Sequence, residues 1–269
     1  MNQIWEKLTA NFASLGGAVV SNVTTVLEFL AVIAALFVLG VLLEKLAQRR
    51  RGVEEKMFTA RRMAVIGMFS ALSAILMLFE IPLPFAPSFY KLDFSELPVL
   101  IVAFAFGPMA GVMMEFVKIL LKLCLKGTST AFVGELANFA VGCSFILPAS
   151  GIYAFHKTKK TAVWACVCGS FVMTVFGTAF NAVYLLPAFA KMFGMPLDAI
   201  LQMGSAVNPL VQEGSILSFV AACVAPLNLL KGMSVSVVTL LVYKQLSPVL
   251  KAGQSDGRNK KAAKVQGEI

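Results

Sequence analysis

Two pairs of polar residues stand where an apolar helix tolerates them poorly. Asn228 and Lys231 lie three apart in "APLNLLKG", inside an apolar run from 216 to 243, and Glu135 and Asn138 lie three apart in "GELANF". Residues i and i+3 share one face of a helix, so each pair turns an amide and an ionisable group to the same side. Ionisable groups inside apolar helices face protein or a cavity and mark candidate sites. Asn181, midway along "GTAFNAVYLLPAF", is a further amide without an evident structural task. Pro226 removes one backbone hydrogen bond and can kink its helix, opening a carbonyl toward the interior. Together these groups suit a small, flat, largely neutral ligand with several hydrogen-bonding edges.

Three more charges sit in one apolar stretch, Glu115, Lys118 and Lys122. Glu115 and Lys118 are spaced to neutralise each other, and Lys122 is expected to snorkel outward. A structural role is therefore preferred to ligand contact for these three.

The elements that must position such residues are membrane spans. The chain has 269 residues, 58% hydrophobic and 14% charged, with a mean hydropathy of +0.82. Those values describe a polytopic membrane protein. A span needs about 20 apolar residues, and seven stretches are candidates: Val23 to Leu43, Met63 to Phe79, Leu97 to Phe106, Met109 to Leu125, Phe132 to Phe155, Ala162 to Leu186 and Ile216 to Tyr243. The third is short and is expected to tilt or to start within the headgroup region. The organisation expected is an N-terminal exterior segment, a first span and a basic linker over 1–62, a six-helix membrane domain over 63–247, and a basic tail over 248–269.

The net charge of +9 is unevenly spread. Residues 45–62, the Lys157 to Lys160 region and the stretch from Lys244 onward hold 16 of the 23 Lys and Arg, and alternating spans put all three on one side. The positive-inside rule makes that side cytoplasmic, with the C-terminus, and places the N-terminus outside. The charge thus belongs to orientation, and nucleic acid is not implied. The first span lacks a basic n-region and a small-x-small cleavage site, so it reads as a retained helix rather than a signal peptide. Its Glu28 is expected near the outer interface.

On this topology the exterior connections are 80–96, 126–131 and 187–215. In the first, Pro82, Pro84 and Pro87 enforce an extended path, and Phe85, Phe89, Tyr90 and Phe94 supply flat faces, either as an interfacial aromatic belt or as a lid over an apolar ligand. Asp93 and Glu96 have capping-box spacing for the helix that follows. In the second, Thr128, Ser129 and Thr130 are natural helix caps. Gly67 with Ala71, and Ser70 with Ala74, form small-xxx-small spacings that let another helix approach.

The absences matter too. The chain has no G-x-x-x-x-G-K-[ST], no G-x-G-x-x-G and no H-E-x-x-H, and its single histidine, His156, lies in a basic cytoplasmic connection. An enzyme is not expected, nor a cofactor or metal. The five cysteines read as small buried hydrophobes.

Three segments in order, "KLDFSELPVLIVAFAFGPMAGV" (91–112), "KGTSTAFVGELANFAVG" (126–142) and "APLNLLKG" with "YKQLSPVL" (225–232 and 243–250), resemble the substrate-binding S components of energy-coupling-factor (ECF) vitamin transporters, of the riboflavin-binding RibU type. The resemblance covers about residues 60–250. It implies an all-α integral membrane fold, a six-helix S-component core to which the first span is an addition. It also implies capture of riboflavin from outside, with a separate transmembrane coupling subunit and two ATPases as partners, consistent with the missing P-loop. Ligand contacts would map onto Phe85, Tyr90, Thr128, Ser129, Thr130, Glu135, Asn138, Asn181, Asn228 and Lys231. The ribityl hydroxyls would meet the Thr128–Thr130 loop, and Lys231 would meet either the ring or a carboxylate. The coupling subunit would dock on an A-x-x-x-A-like motif, at Gly67 and Ala71. Alternatives are an S component for another vitamin or a flavin nucleotide, and a solitary proton-coupled carrier working through Glu115, Lys118 and Lys231. A pocket without clustered arginine favours riboflavin over its nucleotides.

Overall fold

The computed structural model describes residues 2–52 and 55–251, and the tail expected over 248–269 lies almost wholly outside them. The protein is an all-α integral membrane protein. Helices α1 (Asn2–Ser21) and α2 (Val23–Arg51) come first. α2 carries Arg49, Arg50 and Arg51 in its last turn, where cations complement the helix dipole, and ends on Gly52 in the left-handed conformation, φ 63°.

Six further helical segments build the core. α3 (Ala60–Leu78) starts at Thr59, whose hydroxyl accepts from the Arg62 N–H. A two-residue antiparallel hairpin follows, β1 (Ile81–Pro82) with β2 (Lys91–Leu92), so the proline-rich connection folds back on itself. α4 (Glu96–Phe106) and α5 (Pro108–Lys126) are parted by Gly107 alone. α6 (Val133–Phe155) comes next. α7 (Lys159–Phe180) runs through a π turn, Asn181–Leu185, into α8 (Leu186–Phe193). After α9 (Leu197–Val207), α10 (Ile216–Phe219) runs through a second π turn, Val220–Val224, into α11 (Ala225–Lys251).

Composition explains which of these meet lipid. Five helical passes among the described residues are long and apolar enough to cross a membrane: α2, α3, α6, α7 with α8, and α10 with α11. α4 is apolar on every face and is buried at every residue but Leu97, as expected of a helix inside a bundle. At 11 residues it is only about 16 Å long, too short to span. α5 has the length, but Glu115, Lys118, Lys122 and Lys126 give it more charge than lipid accepts, and the first two are fully buried. α9, within the 187–215 connection, is a helix whose buried face is Ile200, Leu201 and Gly204.

The core is centred on α4, α6 and α7, with Phe104, Phe145, Ile146 and Ala165 at or below 1% exposure. α2 packs on α5 and α6. It is peripheral: 11% of its apolar window is buried, against 67% for α6. α3 packs on α4 and α5 and leaves Gly67, Met68, Ala71, Leu72 and Ile75 exposed along its outer side.

Candidate functional site

A cavity of about 540 Å³ opens at the end of the bundle where the hairpin, the Gly127–Thr130 loop and α8 gather. That volume is within the usual range for small-molecule sites. Phe89, Tyr90, Phe189 and Phe193 give it flat apolar walls, and Asn138, Asn181 and Asn228 reach it from α6, the first π turn and α11. The aromatic residues hold one another, with Phe89 4.7 Å from Tyr90 and 5.9 Å from Phe189 between ring centroids.

The three amides differ in what they already bind. Asn181 is committed: its Nδ2 donates to Gly177 O at 2.7 Å, and its Oδ1 accepts from the Tyr90 hydroxyl at 2.6 Å, fastening the hairpin loop to α7. Asn138 donates to Gly134 O at 2.9 Å and keeps its oxygen. Asn228, 4% exposed, makes no hydrogen bond among the described residues. It fits because α7 has Gly177 opposite, where a Cβ would come within 2.6 Å of the Asn228 Nδ2.

Beneath the amides lies a chain of buried charges. Lys231 Nζ is 2.9 Å from Asp93 Oδ2 and 2.8 Å from Glu96 Oε2. Lys118 Nζ is 3.3 Å from the other Glu96 oxygen and 2.7 Å from Glu115 Oε2, and it donates to Ser95 Oγ at 3.1 Å. Desolvating charges is costly unless they are paired and hydrogen-bonded, and this chain pairs them across the hairpin end, α4, α5 and α11. Lys231 therefore meets carboxylates. The capping-box reading of Asp93 and Glu96 is corrected: α4 does begin at Glu96, but its N-cap is Ser95, which has no side-chain cap bond. Asp93 Oδ1 instead accepts from the Ser95 N–H at 2.9 Å, and both carboxylates turn to Lys231.

Lys122 also departs from expectation. Rather than snorkelling outward it pairs with Glu135, a fully buried residue. The hydroxyls of Thr128 and Thr130 each lie 3.0 Å from Glu135 Oε2. The loop thus wraps a buried carboxylate, and Ala131 and Phe132 take positive φ, 46° and 68°, to complete the turn. Thr128, Ser129 and Thr130 line the cavity, whereas Glu135 stands behind them.

Phe85 is not among the lining residues. It packs with the cluster around the second π turn, and its carbonyl accepts from Asn208 Nδ2 at 3.1 Å. Asn208, which the sequence did not single out, also donates to Ala222 O at 3.1 Å. Ala222 is four residues before Pro226, so this is the carbonyl that the missing proline N–H leaves without its helical partner. The opening foreseen at Pro226 exists, but a protein amide fills it. Both π turns end two residues before a proline, Pro187 or Pro226, and such turns often accompany functional sites. At the mouth, Glu80 accepts from Lys91 at 2.6 Å and Lys126 at 3.2 Å. Glu28, exposed on α2, meets the Tyr184 hydroxyl, and Gly67 and Ala71 lie on the exposed stripe of α3.

The family model described as "ECF transporter, substrate-specific component" matches residues 61–243. Among relatives, the riboflavin transporter FmnP of Bacillus subtilis (strain 168) is 28% identical over 72% of this chain and 96% of its own length. The riboflavin transporter RibU of Staphylococcus aureus (strain TCH60) is 31% identical over 71% of this chain and 93% of its own. A solved structure, described as the S component of a bacterial ECF transporter, is 32% identical, with a TM-score of 0.55 over 71% of this chain and 97% of that one. The family match begins after both α1 and α2. A cavity lined from α3, α4, α5, α6, α7 and α11 is joined here by a family match over most of the chain, and this chain belongs to the substrate-specific components of ECF transporters.

Proposed function

We propose that this chain captures riboflavin from outside the cell and delivers it inward with a separate ECF coupling subunit and two ATPases. The observation that carries the reading is Asn228, a buried amide without a hydrogen-bond partner among the described residues, placed in a cavity with aromatic walls. An amide offers one donor face and one acceptor, which matches the imide edge of an isoalloxazine ring. The aromatic walls suit its flat faces, and Thr128, Ser129 and Thr130 suit ribityl hydroxyls. Relatives named as riboflavin transporters support the same ligand. The cavity faces outward on this reading, with the basic ends of α2 and α7 in the cytoplasm.

The test is a visible spectrum of the detergent-purified protein and a titration with riboflavin. The expected result is a yellow preparation or quenching of flavin fluorescence at micromolar concentration. A colourless protein that quenches nothing would sink the proposal. The coupling subunit is proposed to dock on the exposed Gly67 and Ala71 stripe of α3, so Ala71→Leu is expected to abolish uptake while flavin binding persists.

A further inference from the structure

The two N-terminal helices precede the family match, which begins at residue 61, yet their polar side chains reach the core at places where its helices break. At the basic end, Glu44 of α2 is 4% exposed, and its Oε2 accepts from the Met109 N–H at 3.1 Å. Met109 is the second residue of α5, so a carboxylate fills the positive end of that helix and satisfies an N–H with no partner in the helix. Gly107 makes room: its φ is +107°, and a Cβ there would stand 2.8 Å from the same oxygen. Arg62 holds the carboxylate from α3 at 3.7 Å and keeps Glu55, at 2.6 Å, as a second partner.

At the cavity end, Asn11 of α1 donates to Leu125 O at 3.1 Å and approaches Cys124 O at 3.5 Å. These are among the last carbonyls of α5, which have no partner within the helix. Between the two ends, Phe29 meets Phe139 and Phe37 meets Phe116 edge to face, at 5.9 and 5.7 Å. One helix, α5, is therefore capped at both ends by an element outside the shared core. It is also the helix whose Glu115, Lys118 and Lys122 make the charge pairs below and beside the cavity.

We propose that the N-terminal extension is a positioning clamp on α5. Glu44 and Asn11 fix its axial position and thereby hold Lys118 and Lys122 against Glu96 and Glu135. Bound ligand then leaves slowly, because the loop wrapped on Glu135 and the floor under Asn228 cannot shift with α5. The effect on ligand release rests on the riboflavin reading, whereas the clamp itself does not.

The experiment uses the full chain in detergent or nanodiscs, with Asn11→Ala, Glu44→Gln, and the Asn11→Ala/Glu44→Ala pair. Amide hydrogen exchange along 107–130 and the riboflavin dissociation rate are measured on each. Loss of two caps is expected to speed exchange at both ends of α5 and to raise the dissociation rate roughly tenfold. Glu44→Gln keeps an oxygen for the Met109 N–H and is expected within about twofold of the parent. Asn11→Ala, at a half-buried surface contact, guards against misfolding and is expected to loosen only the 123–127 end. Unchanged exchange on α5 in the pair overturns the clamp whatever the flavin does. Faster exchange with an unchanged release rate overturns the link to the cavity. A parent protein that binds no riboflavin overturns the ligand reading instead, and the exchange data still decide the clamp.

Discussion

Asn228 and Lys231 stand one turn apart on α11, and the two layers of the cavity they belong to are built in opposite ways. In the lower layer every charge has an ionic partner: Lys231 has Asp93 and Glu96, and Lys118 has Glu96, Glu115 and Ser95, although the Glu115 oxygens make no hydrogen bond among the described residues. The upper layer is graded, from Asn181, bound on both sides of its amide, through Asn138, to Asn228, which bonds to none of the described residues. A charge buried without a partner costs several kcal/mol, so the ionic floor must be complete before any ligand arrives. An unpaired amide costs less, on the order of 1–3 kcal/mol, and that smaller cost can be held in reserve and relieved by a ligand. The difference separates what holds the site together from what recognises.

The largest effect that could break this contrast is in the floor. Lys231→Ala leaves Asp93 and Glu96 short of an ammonium, and a loss of about 3–5 kcal/mol in stability is expected, read as a lower unfolding temperature without ligand. An unchanged unfolding temperature would mean that the floor is not structural. Asn228→Ala comes next. It should weaken riboflavin binding by ~1–3 kcal/mol, roughly fivefold to 150-fold, while the ligand-free unfolding temperature stays put. A drop in stability equal to that of Lys231→Ala would erase the distinction. Tyr90→Phe removes the 2.6 Å bond to Asn181 and should cost ~1 kcal/mol, seen as flavin release faster by a few fold.

The smallest effect concerns the mouth. Partial burial pushes the Glu80 carboxyl up, but hydrogen bonds from Lys91 and Lys126 outweigh it and hold the group below the usual 4.5. A carboxyl depressed in the folded state stabilises above its unfolded value and loses that contribution as pH falls through the folded one. The Glu80 clasp is therefore expected to hold at neutral pH and to open only below about pH 4.5. Flavin release from the parent should quicken there, and Glu80→Gln should flatten the change. Because the clasp is partly exposed, the change is small and shrinks with added salt.

Much of this was legible in the residues. The apolar runs announced the spans, because a bilayer requires long unbroken ones. Asn138, Asn181 and Asn228 announced themselves by standing in apolar helices, whereas Thr128–Thr130 read locally as helix caps. What escaped did so for reasons of distance. Asp93 lies 138 residues from Lys231, and by its local spacing to Glu96 it looked like a helix cap. Lys122 looked like a snorkelling residue because only the fold puts Glu135 on the facing helix. Asn208 carried no local signal at all, since its task is to fill a carbonyl that Pro226 opens 18 residues later. Phe85 was grouped with its aromatic neighbours, yet the loop's prolines turn it away while Phe89 and Tyr90 face in. Glu44 carried no local signal, because its burial against the start of α5 is set by the packing of α2 on the core.

The sequence by itself determined the membrane class and the helices that bear polar groups, because these follow from composition and period along the chain, whereas of its seven expected spans α4 is too short and α5 too charged to count among the five that can cross. Only the tertiary structure decided which polar groups are spent on one another and which remain for a ligand. That choice depends on contacts between helices far apart in sequence, and on backbone breaks such as Gly107 and the two π turns, whose carbonyls and N–H groups find partners only once the bundle has closed.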